Sequence, residues 1–343
     1  MTLCLKPLTT PAPSLARVTK IPALNRPADG AADNIASTFL ADMVAGLSKS
    51  PKQTSPKYFY DARGSELFEQ IMRLPEYYPT RTEMGLLTAH AMELADFCGP
   101  NCLLVEPGAG NLAKVRLLLK NLQSPAGFIP VDVSGSHLHH AAHELRLEQP
   151  GLNVLPVCAD FTTGISLPHV ASDRRVVFFP GSTLGNFEPH EADRLLASFA
   201  QLAGQGGGII LGVDLRKDPA ILVPAYDDAQ GVTAAFNKNL LHRLRDELAA
   251  EVNPEQFAHR ALYIDDLGRV EMHLVSLMAQ TISLGGHSFQ LEVGETIHTE
   301  NSYKQDLTEL VARCENLGLQ AARILTDSRQ WFAVLCLSVG KTT

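Results

Sequence analysis

Apolar residues in the middle of this chain fall into short continuous runs, each followed by a stretch of helical spacing. Cys102, Leu103, Leu104 and Val105 form one run, ending at Gly108-Ala109-Gly110. After it Leu112, Val115, Leu118, Leu119 and Leu122 recur at the spacing of one helix face. Further runs occupy 128–133, 154–157, 176–179 and 209–213, and Leu195, Leu196, Phe199 and Leu202 make a helical stripe before Gly204. Strands apolar on both faces, alternating with helices, predict an α/β fold built on a parallel, doubly wound sheet.

After Asp214 the pattern changes. Residues 232–248 read as one long helix, and 261–293 as strands joined by hairpins that turn at 266–268 and 285–287. A helix over 304–317, ending at Gly318, and a strand pair over 319–324 and 331–339 return to the first pattern. The simplest organisation is a Rossmann-like core over 85–215 and 304–343, an α+β substrate domain from 31–84 and the inserted block 216–303, and a loosely ordered tail over 1–30.

Composition narrows the function classes. With 343 residues, 45% of them hydrophobic, the chain can bury a substantial core. A net charge of −8 leaves no basic footprint for nucleic acid. No apolar run approaches the ~20 residues of a membrane span, and the proline-rich start lacks a signal-peptide core. The six cysteines include Cys98-x3-Cys102 but no pair at zinc spacing, and reduced thiols in a cytoplasmic protein are expected. His137, His139 and His140 do not share one helix face, so no metal site is expected.

Candidate chemistry gathers at the ends of the strands. Glu106-Pro107-Gly108-Ala109-Gly110 stands where the first strand meets its helix, and its glycines allow a tight turn and close approach of a ligand. Ala113 stands where a dinucleotide fingerprint has its third glycine, which weakens that reading. The E-x-G-x-G pattern instead resembles the first motif of Rossmann-like methyltransferases. Asp132 follows Gly108 by 24 residues and ends the next strand, near the ~20-residue offset at which an acid reads ribose hydroxyls. Asp160 and Phe161 close the third, an acceptor for an adenine amino group beside a ring for the base.

Longer motifs are more specific. Tyr60-Asp61-Ala62-Arg63-Gly64-Ser65-Glu66-Leu67-Phe68 and Leu74-Pro75-Glu76-Tyr77-Tyr78-Pro79-Thr80-Arg81-Thr82-Glu83 resemble the histidine Nα-methyltransferases of ergothioneine biosynthesis. So do Gly181-Ser182-Thr183-Leu184-Gly185-Asn186-Phe187, Val213-Asp214-Leu215-Arg216-Lys217-Asp218, the stretch 226–237 and His298-Thr299-Glu300-Asn301-Ser302-Tyr303-Lys304. The resemblance covers roughly 55–340. It implies a class I methyltransferase that takes S-adenosyl-L-methionine as methyl donor and needs no metal. It assigns Gly108, Gly110, Lys114, Asp132, Asp160 and Phe161 to that donor. Tyr77, Gly181, Asn186, Tyr226, Met272, Glu300, Asn301 and Ser302 are assigned to free L-histidine, with Tyr60 and Tyr77 at the reacting amine. The implied product is hercynine, made in three transfers by a cytoplasmic monomer without nucleic-acid or membrane partners.

The residue types suit these roles. Asn186 and the phenols of Tyr77 and Tyr226 can donate to an α-carboxylate, and Glu300 and Ser302, two apart on an extended segment, can hold the two imidazole nitrogens against Met272. Tyr78 is expected in the core, Glu76 paired with Arg81, and Asp227 and Asp228 at a helix start. Two alternatives stay open: an N-methyltransferase of the same fold for another amino acid such as tryptophan, and a non-catalytic adenosine-binding interaction protein. An NAD-dependent oxidoreductase is disfavoured by the missing glycine.

Overall fold

The structure, a computed structural model, describes residues 29–340 of the chain. It opens with α1 (Asp29–Leu47), β1 (Lys52–Gln53), α2 (Ala62–Ile71), α3 (Tyr78–Ala89) and α4 (Ala91–Cys98). Then β2 (Cys102–Pro107), α5 (Ala113–Leu119), β3 (Gly127–Asp132), α6 (Gly135–Glu148), β4 (Val157–Cys158), β5 (Arg174–Phe179), α7 (Pro189–Ala203) and β6 (Gly208–Asp214) alternate. The block that follows holds α8 (Pro219–Leu222), α9 (Val232–Leu248), β7 (Phe257–Ile264), β8 (Arg269–Ser276), β9 (Gln280–Leu284), β10 (His287–Leu291) and β11 (Thr296–Tyr303). The described chain closes on α10 (Leu307–Asn316), β12 (Leu319–Thr326) and β13 (Phe332–Val339).

Seven strands form the larger sheet in the order β12-β13-β6-β5-β2-β3-β4, with β13 alone running against its neighbours. Its strands are apolar on both faces because helices cover both. Phe128, Val176, Phe178 and Ile210 pack under α3 to α6, while Val177, Phe179, Ile209 and Leu211 pack under α7 and α10. This is the doubly wound α/β arrangement that the apolar runs predict. The smaller sheet, β1-β11-β8-β7, and the β9-β10 hairpin share a separate core with α1, α2 and α9.

Local chemistry explains the departures from the expected boundaries. Only Val157 and Cys158 of the third run are strand, and Val154 makes an isolated bridge to Phe128, because Pro156 between them has no N–H to give. Helix α10 starts at Leu307 rather than 304, since the Asp306 carboxylate caps Thr308 and Glu309. The expected tail, 1–30, lies outside the described residues except for Asp29 and Gly30, which begin α1. The expected boundary at 84/85 falls inside α3, whose first turn joins one core through Tyr78 while Leu86 and Leu87 join another.

Candidate active site

A cavity of about 760 Å³ opens between the two sheets. One wall is the carboxyl edge of β2, β3 and β5, where parallel α/β sheets bind ligands. The facing wall comes from α2, α9, β8 and β11. Gly108, Gly110, Lys114, Asp132, Asp160, Phe161, Gly181, Asn186, Tyr60, Tyr77, Tyr226, Met272, Glu300 and Ser302 all line it.

The sheet side holds the groups expected on the methyl donor. Asp132 accepts from the Gly110 N–H at 3.1 Å and the Ser134 N–H at 2.9 Å, which aims the carboxylate along the glycine loop. Asp160 accepts from the backbone and hydroxyl of Thr162 at 2.9 and 2.6 Å. Gly108 has φ +68°, and a Cβ there would stand 3.3 Å from the Phe161 ring, so glycine keeps the space over that ring clear. The Lys114 ammonium pairs with Glu83 at 2.7 Å, and the other oxygen of Glu83 accepts from the Gly181 N–H at 2.7 Å.

Glu106 is buried on the cavity wall with one carboxyl oxygen unpartnered, and burial pushes its pKa well up. An acid beside hydroxyl-binding distance of the loop, an open aromatic face and an orphaned carboxyl fit an adenosine bearing an amino-acid tail. Glu83 and Glu106 went unassigned in the sequence, although both stood inside the motifs. Their roles depend on burial, which a motif does not display.

The opposite end is aromatic and polar. Tyr60 and Tyr77 meet Phe68 edge-on at 5.6 and 6.2 Å, and Tyr77 meets Tyr226 at 6.2 Å. Burial holds all three phenols well above their ordinary pKa, so they are neutral. Neither Tyr60 nor Tyr77 uses its hydroxyl on a protein partner among the described residues, which leaves both for a ligand. Tyr226 lies 2.7 Å from Ser302, and Lys304, with no exposed side chain, donates to both at 2.7 Å.

Glu300 accepts from Asn186 at 3.1 Å, so the amide expected on a substrate carboxylate also holds this acid in place. Burial raises the Glu300 pKa to about 7, against the pull of Lys304. Met272 is paired with Glu300 across the β8-β11 ladder.

Asn301 is not brought to the cavity. Neighbouring strand residues point to opposite faces, and its amide donates to Glu188 at 2.9 Å on the outer side of the sheet. Glu76 and Arg81 do not pair either: the Arg81 guanidinium donates to the carbonyls of Leu74, Pro75 and Tyr77, closing the turn before α3. Tyr78 is buried as expected, and Asp228 accepts from the Val232 and Thr233 N–H groups at the start of α9. Among the described residues Glu271, His273 and His298 lie close enough to share a cation. Arg269 already occupies the Glu271 carboxylate, however, and His273 Nε2–H donates to its other oxygen at 2.9 Å.

This geometry meets its relatives at the family level. The model of the family described as histidine-specific, SAM-dependent methyltransferases matches residues 39–339. The chain belongs to that family. Histidine N-alpha-methyltransferase of Mycolicibacterium smegmatis is 40% identical over 303 residues, covering 87% of this chain and 94% of the relative. Its counterpart in Mycobacterium tuberculosis is 39% identical, covering 83% and 90%. Ergothioneine biosynthesis protein 1 of Neurospora crassa is 32% identical, over 57% of this chain and 23% of its own length. In this histidine-specific methyltransferase, the tryptophan and non-catalytic readings lose their ground.

Proposed function

We propose that this protein methylates the α-amine of free L-histidine three times, yielding hercynine for ergothioneine biosynthesis. The observation that carries the reading is the cavity itself: Glu300, Ser302 and Met272 form a small polar end in the same 760 Å³ space as Asp132 and the glycine loop. In it the imidazole meets Glu300 and Ser302, the carboxylate meets Tyr226 and Asn186, and the amine faces Tyr60 and Tyr77. Gly108, Asp132, Asp160 and Phe161 would hold the adenosine, and Lys114, Glu83 and Glu106 border the methionine end.

When bound, S-adenosylmethionine supplies an electrophilic sulfonium methyl and departs as a neutral thioether. The chain's own residues therefore orient and desolvate rather than act as strong bases. In the first two transfers the neutral phenols of Tyr60 and Tyr77 accept from the substrate N–H groups and turn the nitrogen lone pair toward the methyl; in the third the dimethylated nitrogen has no N–H, and the anchored carboxylate and imidazole hold it in line. The amine's proton leaves to water before each attack. Residues 31–84 and 216–303 serve substrate recognition, and 85–215 with 304–343 serve the methyl donor. The protein works as a cytoplasmic monomer with no metal, nucleic-acid or membrane partner; no described helix is long and apolar enough to cross a membrane.

Glu300→Ala tests the specificity. Losing a charged hydrogen bond should lower kcat/KM for histidine by roughly ten- to a hundredfold. The same change removes the charge that disfavours apolar rings, so competition assays should show phenylalanine and tryptophan gaining relative to histidine. An equal loss for every amino acid would make Glu300 structural and remove histidine as the preferred substrate.

A further inference from the structure

Beneath the amino-acid end of the cavity lies a buried cluster of charges. Asp214, at the end of β6, has no exposed surface and receives two ammoniums, Lys217 at 2.6 Å and Lys304 at 3.0 Å. The Tyr78 hydroxyl donates to the same carboxylate at 2.6 Å and stays neutral, since burial pushes its pKa far up. One carboxylate thus contacts both cations, and Asp327 acts on Lys217 from further off. Burial brings Lys217 down to about 8 despite Asp214, and the Lys304 charge adds to the fall. The further ionisable groups facing Lys304 are Glu300, on its own strand segment, and the Tyr226 phenol.

Lys304 is the cation that reaches the cavity wall. Its three N–H donors are met by Asp214, Tyr226 and Ser302, at 3.0, 2.7 and 2.7 Å. Its ammonium also sits 4.5 Å from the centre of the Tyr226 ring. Both hydroxyls therefore accept from a cation, and they lie 2.7 Å from each other. When Ser302 donates to Tyr226 it keeps a lone pair for an imidazole N–H, and the Tyr226 proton is left for the cavity that both residues line. A hydroxyl proton backed by a buried ammonium suits an anion, because a charge-assisted bond is the stronger kind.

We propose that Lys304 is the positioning charge for the substrate carboxylate, acting through Tyr226 rather than by contact. The proposal rests on the reading that the amino acid's carboxylate meets Tyr226. The arriving carboxylate adds a negative charge near Lys304, and the Tyr226 hydroxyl passes the field of the ammonium to it. Lys304 thereby separates amino acids from the amines that lack the carboxylate, without touching either.

The test is Lys304→Met and Lys304→Arg, each assayed with S-adenosylmethionine and either histidine or histamine, alongside S-adenosylhomocysteine affinity by calorimetry. Lys304→Met should raise the histidine KM by about tenfold or more, the scale of a lost charge-assisted bond. S-adenosylhomocysteine affinity should hold, histamine should lose far less than histidine, and Lys304→Arg should recover much of the loss. An equal decline for both substrates, or an undiminished preference for histidine in Lys304→Met, overturns the proposal. If the unaltered protein methylates histamine as well as histidine, the underlying carboxylate reading fails instead. Should Lys304→Met not fold, Lys304→Gln, which keeps a neutral donor at the site, is read by the same ratio.

Discussion

At Glu300 burial and function pull against each other. Its pKa of about 7 means that the folded protein holds this proton where the unfolded chain, near the ordinary 4.5, has lost it. Between those two values the native state therefore loses stability as pH rises, by ~1.4 kcal/mol per unit and at most about 3 kcal/mol in all. Glu300→Gln is neutral throughout and escapes this cost. Urea unfolding of both proteins should show the variant gaining on the unaltered protein as pH rises from about 5 to 8, with no further change above that window. A constant difference across it would mean that Glu300 is solvated rather than buried. The residue was legible in the sequence because the motif His298–Lys304 carries a resemblance. Its titration was not, since that depends on burial under parts of the chain far from the motif, Asn186 among them, against the pull of Lys304. Lys304 and Glu83 were hidden for the same reason: each sits at the end of a quoted motif, and only burial against Asp214 or Lys114 shows what the charge is for.

Among the elements, the carboxyl end of β6 depends on a glycine. Gly212 is buried in the middle of the strand, and a Cβ there would come within 2.2 Å of the Glu83 carboxylate and 3.2 Å of the Pro180 backbone. Glu83 could yield only by giving up the Gly181 N–H or Lys114, both at 2.7 Å. Gly212→Ala should then destabilise the fold by ~1–3 kcal/mol, as overpacking of a filled core does. It should also weaken S-adenosylhomocysteine binding, because Gly181 and Lys114 border the cavity. Denaturant titration with calorimetry checks both, and a variant with unaltered stability would show that Glu83 has room to move. Periodicity read the strands and hairpins well, because continuous apolar runs and glycine turns are local signals. The irregularities were less visible. The shortened β4 follows from Pro156, whereas the bulge between His298 and Glu300 is a feature of pairing with β8 that no local pattern announces.

For the whole molecule the question is whether two cores unfold as one. The core under the small sheet draws on residues from both α1 to α3 and the inserted block, while the large sheet has its own apolar layers. The chain crosses between them several times, and α3 contributes to both sides. A buried polar chain ties them further: Tyr78 on α3 donates to Asp214 at the end of β6, and Lys304 carries the link to Tyr226 and Ser302 in the substrate wall. Opening the cleft would strand those charges, and breaking a buried pair is costly. The two parts should therefore melt in a single transition. S-adenosylhomocysteine at 100 times its Kd adds ~2.7 kcal/mol to whatever unit it binds. In calorimetry that addition should move the entire transition upward and leave it undivided, although the adenosine contacts proposed for it lie on the large sheet alone. Two transitions, with only one shifted, would mean that the cores are coupled weakly and that the buried network is not what holds the cleft together.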